Sequence, residues 1–129
     1  MRATLCLMLV VALPVLAERP PEFREDATLV VTGTIEKLVK SDKGFFGGVM
    51  TTYTATVQVA KVEKGEKVKA GDRVQATWFH VTKRPTRPVA GAYGQGHAVK
   101  AKDRATFWLT GEKAPYSVIY NRNGIEKMK

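Results

Sequence analysis

A chain of 129 residues has room for one domain of ordinary size. Its formal net charge of +9 favours anionic partners through a long-range field, or forms only a solvated coat of lysines. A single cysteine, Cys6, excludes an intrachain disulfide scaffold and a cysteine-rich zinc site.

Met1-Arg2 supplies a short positive start, residues 5–16 (LCLMLVVALPVL) are apolar, and Val15-Leu16-Ala17 ends on a small residue. That order predicts a secretory signal peptide over residues 1–17. The apolar run is shorter than the roughly 20 residues that cross a bilayer as a helix. Cys6 lies inside the run, the wrong place for a lipid-modified cysteine. Cleavage after Ala17 would remove the only thiol and leave a domain that must be stabilised by its core. The expectation is a secreted or periplasmic protein with no transmembrane span after cleavage.

Residues 18–26 (ERPPEFRED) read as an extended arm. Proline at a helix start is tolerated, so one helical turn over 22–26 can follow Pro21, with Phe23 packing the arm against the body. From 27 to 129 the pattern is β. Residues 27–40 (ATLVVTGTIEKLVK) are rich in β-branched side chains, and Gly33 in their interior predicts a bulge or sharp bend. Residues 41–48 (SDKGFFGG) read as a turn carrying Phe45 and Phe46, either folded onto the core or forming an apolar interaction tip. Residues 49–63 alternate strictly, with Tyr53, Ala55, Val57 and Val59 against Thr52, Thr54, Thr56 and Gln58. The apolar phase then slips to Ala60 and Val62, a further bulge signal.

Residues 64–72 make a turn-rich connection with Val68 tucked inward, and 73–81 (RVQATWFHV) form the third strand. A long loop follows, with Lys83, Arg84, Arg87, Tyr93, His97, Lys100 and Lys102. Residues 105–110 and 116–120 supply the fourth and fifth strands, and Asn123-Gly124 makes a last turn before Ile125 and a basic tail. Five strands with glycine at the corners predict an all-β fold, a small OB-like Greek-key barrel with a long loop between strands 3 and 4. A sandwich of this length would show about seven shorter strands.

The run ATLVVTGTIEK, the strand ending VAKVEKGEKVKAGD, then RPTRPVAGAYGQGH, KAKDRATFWL and a closing NGIE resemble small secreted bacterial proteins. Those are similar to the OB-fold group that includes tissue inhibitors of metalloproteinases and netrin-like modules. The resemblance covers about residues 27–126 and implies a barrel rather than an activity. The inhibitors use an N-terminal cysteine to chelate their target's zinc. The expected start at Glu18 offers no such cysteine.

Residue chemistry points away from catalysis. His80 and His97 are the only histidines, and zinc would need further ligands where Asp103 is the nearest acid. The bland expectation is a half-buried His80 and an exposed His97. Ser41 and Ser117 lie in no G-x-S-x-G elbow, and no pair of carboxylates is set apart for acid–base work. GAYGQG at 91–96 lacks the Lys-Ser/Thr and strand-to-helix setting of a phosphate loop. No cofactor and no metal are expected.

Binding is the better expectation. From Arg73 through Lys102 there are six basic residues and no acid, with Trp78, Phe79 and Tyr93 interleaved and Pro85 and Pro88 stiffening the loop. OB barrels bind oligonucleotides and oligosaccharides on one sheet face and its loops. Lys83, Arg84, Arg87, Tyr93, His97, Lys100 and Lys102 are the candidate contacts for an anionic polymer, an anionic lipid surface or an envelope protein. A Phe45-Phe46 tip is the alternative, as an inhibitor or interaction module. The alternative reading makes Trp78 and Tyr93 packing residues beneath solvated cations.

Overall fold

The protein was analysed as a computed structural model that describes residues 20–89 and 93–129. The signal expected over residues 1–17 lies outside the described residues. After a 3-10 turn at Arg24–Asp26 come six strands: β1 Leu29–Phe45, β2 Gly48–Lys64, β3 Arg73–Lys83, β4 Arg104–Thr110, β5 Tyr116–Val118 and β6 Ile125–Lys127. The sheet order is β1-β2-β3-β5-β4, and β4 pairs back onto β1, which closes a ring of five strands. The β3–β5 pairing is parallel and the others are antiparallel. β6 adds to β4 outside the ring.

Alternation along the strands fills this ring. Val31, Ile35, Ala55, Val57, Ala76, Ala105, Phe107 and Leu109 are fully enclosed, and Val68 tucks in beneath them. Gly33 sits where β1 is paired on both sides. A Cβ there would lie 2.2 Å from the Gln58 carbonyl oxygen, so only glycine permits this approach. The register of β1 against β2 slips beside Gly33 and skips Ala60, which turns outward. This bulge is the one that the phase slip after Val59 predicts, although Ala60 itself does not become a core residue.

The β1–β2 hairpin is longer than its sequence suggests. Residues 41–45 continue β1, and the turn is Phe46-Gly47 alone, with φ of 48° and 84°. Two consecutive residues of positive φ twist the chain as a tight hairpin requires. Gly44 is ordinary strand backbone, so glycine content overstated the turn.

Two further expectations are corrected. The fifth strand stops at Val118, because Ile119 leaves the sheet to pack with Ala27 and Val30 under Trp108. The tail is in part a strand, with Ile125 opposite Phe107 and Lys127 opposite Ala105. The arm forms its short turn, but Phe23 is 59% exposed. Polar contacts hold the arm instead: the Tyr120 amide donates to Glu22 Oε1 at 2.9 Å, and the Arg24 guanidinium lies 3.6 Å from the centre of a Trp108 ring.

Candidate functional site

The connection from β3 to β4 is tied down in three places. Near its start, Thr86 donates to the Phe46 carbonyl from its amide at 3.1 Å and its hydroxyl at 3.3 Å. Gly47 makes this possible, since a Cβ there would lie 2.4 Å from Thr86 Oγ1. Residues 93–95 then run beside β3 where β5 has ended: the Val81 amide donates to the Tyr93 carbonyl at 2.8 Å and the Gln95 amide to that of Phe79 at 2.9 Å. At the far end the Lys102 amide donates to the Ile35 carbonyl at 2.6 Å, and Asp103 returns a carbonyl to the Ile35 amide at 2.8 Å. The Lys100 amide bonds the Asp103 carboxylate and, with Lys127 beside it, holds that group below its ordinary pKa.

The two histidines lie near one another, and His80 is half-buried as expected. His97 is not exposed: its ring meets Trp78 edge-on at 5.7 Å, and Trp78 stacks on Tyr53 at 5.5 Å. Burial lowers the His97 pKa to about 4, and nearby His80 adds to the effect, so at neutral pH the imidazole is uncharged. Its Nε2 and the Trp78 indole nitrogen have no hydrogen-bond partner. Among the described residues no group of three or more His, Cys, Asp or Glu side chains is placed to hold a metal.

The hairpin tip and the start of the loop form a single surface. Phe45 meets Phe46 edge-on at 5.1 Å and Tyr93 at 6.1 Å. The Arg87 guanidinium lies 5.8 Å from the Phe46 ring centre, and Phe46 is 52% exposed. The Tyr93 hydroxyl donates to the Val89 carbonyl, which fixes the ring. Val81, Arg84, Arg87, Pro88 and Tyr93 line a cavity of about 600 Å³. Lys83, Arg84 and Arg87 are exposed and pair with no carboxylate among the described residues, whereas Arg24, Lys61, Arg73 and Lys127 each have an acidic partner.

The seven loop residues singled out by the sequence are therefore not one site. Lys83, Arg84, Arg87 and Tyr93 meet the Phe45-Phe46 tip. His97 is built into the wall. Lys100 and Lys102 stand beside Ile35, eleven residues down β1 from Phe46, roughly 35 Å along an extended strand. Thr86, the joint between tip and loop, carries no sequence signal, because its contact spans 40 residues.

Unpaired guanidinium and ammonium groups beside exposed rings can hold a phosphate, sulfate or carboxylate while a ring stacks on a neighbouring group. No protein-family description, curated protein or solved structure matches the chain.

Proposed function

We propose that the protein is an exported, non-catalytic binding module that holds an anionic ligand at the hairpin tip, with Arg84 and Arg87 as anchors and Phe46 and Tyr93 as the apolar platform. The observation that carries this reading is the hairpin tip, where the Arg87 guanidinium lies over the exposed Phe46 ring and Lys83, Arg84 and Arg87 have no carboxylate partner among the described residues. The barrel is read as OB-like. A ring in the order β1-β2-β3-β5-β4 with parallel β3 and β5 supports a Greek-key path, and OB barrels bind polymers with strands 2 and 3 and the loop joining strands 1 and 2. Here that loop is the Phe46-Gly47 turn. Export rests on the residues 1–17 pattern. The test is retention on heparin and on anionic-lipid supports across a salt gradient. Arg84→Ala/Arg87→Ala should elute at clearly lower salt than the unaltered protein, and equal elution would sink the assignment.

The exposure of Phe46 favours a second reading, in which the same tip engages an envelope protein. Capture from envelope extract that survives high salt and is lost in Phe45→Ala/Phe46→Ala would select it.

A further inference from the structure

β1 is paired on both sides for only part of its length. β4 covers it from Leu29 to Thr34, and backbone bonds from Lys102 and Asp103 extend that cover to Ile35. Residues 37–45 continue in register with β2, from Lys37 opposite Thr56 to Phe45 opposite Gly48. Among the described residues no backbone group pairs with the opposite edge of this segment. Over these nine residues the outward amides and carbonyls thus have no backbone partner among the described residues. Such a row is a template for another strand unless something covers or blocks it.

The side chains decide what can cover it. Lys37, Lys40 and Lys43 are exposed along the segment, none with a carboxylate partner among the described residues, and Val39 is 46% exposed. The segment's one acid, Asp42, accepts the Thr51 hydroxyl at 2.7 Å. Period-two geometry puts Lys37, Val39 and Lys43 on one face and Lys40 on the other. Lys37 and Lys43 therefore set positive charge along one face of the free edge, while the Lys40 ammonium lies 5.8 Å from the Tyr53 ring centre on the paired side. In the register that sets Lys37 against Lys43, two copies pairing edge to edge would bring lysine against lysine, which disfavours a second copy as the occupant. A sugar polymer lacks the alternating donors and acceptors that the edge offers at strand spacing.

We infer that residues 37–45 receive an extended, acidic segment of another polypeptide, added to the sheet as one more strand. Backbone hydrogen bonds to the edge supply affinity, and carboxylates set against Lys37 and Lys43 supply selectivity. This surface is separate from the Arg84–Arg87 patch, although both end at the same tip.

A synthetic peptide alternating Glu and Val, and the same peptide N-methylated at every second residue, provide the test with the full chain. The unmodified peptide should slow hydrogen exchange at alternate amides between 37 and 45. The N-methylated peptide should bind at least about tenfold more weakly. Lys37→Glu/Lys43→Glu, on an exposed face and with an unchanged circular dichroism spectrum, should lose a similar factor, while Lys113→Glu/Lys129→Glu, an equal change of charge at exposed residues outside β1, should retain binding. Equal binding by the N-methylated peptide, no protection over 37–45, or protection confined to 84–88 would overturn the inference.

Discussion

The two ends of this barrel are built on opposite terms. At the closed end Val31, Ile35, Val57, Phe107 and Leu109 have no exposed surface, and Gly33 lets two strands approach within the reach of a single Cβ. At the hairpin end β1 and β2 continue past β4, Phe46 faces water, and cations stand without acidic partners among the described residues. The first end stores the stability that folding requires. The second keeps the exposed Phe46 ring and unpaired charge that stability alone does not ask for, which makes it the place to look for contact with other molecules.

The contrast can be broken first where it is strongest. Phe107→Ala should lower stability by about 3–5 kcal/mol in denaturant titration, because a ring is removed from the centre of a closed core. Gly33→Ala should cost about 1–3 kcal/mol, since the added methyl meets the Gln58 carbonyl, a backbone atom that cannot swing aside. Acid should act between the two ends. The folded His97 binds its proton only near pH 4 against an ordinary 6.5, so the unfolded chain is protonated first. Stability should then be level above about pH 6.5 and fall as pH drops toward 4. Melting curves of His97→Gln across that window should show a shallower fall, whereas an unchanged profile would mean that His97 does not carry it. Smallest of all, Arg84→Ala/Arg87→Ala should change stability by less than about 0.5 kcal/mol, as exposed side chains outside the core do.

The closed end was largely legible in the sequence. Alternation from Tyr53 to Val59 marks a half-buried strand, and Gly33 with the slip after Val59 marks the bulge, because both are consequences of local period and sterics. The short pairings were not legible. Ile125–Lys127 owes its strand to β4 rather than to its own pattern, and Ile119 leaves the sheet for a second cluster that exists only once Ala27 and Trp108 are in place. At the tip the sequence supplies the residues but not their company. Phe45-Phe46 and Lys83–Arg87 read as rival surfaces, yet Thr86 bonds the Phe46 carbonyl and makes them one. His97 reads as solvent-facing because nothing local announces Trp78 as its neighbour. Non-local contacts of this kind leave no spacing to find.

A charge-matched pair of variants asks most directly whether the tip, rather than net charge, holds the anionic ligand. Arg84→Ala/Arg87→Ala and Lys100→Ala/Lys102→Ala each remove two positive charges, one pair at the hairpin end and the other beside Ile35. On a heparin column developed with salt, the first pair should elute well before the second, which should stay close to the unaltered protein. Coincident elution of the two variants would contradict the account and leave only the overall charge of +9.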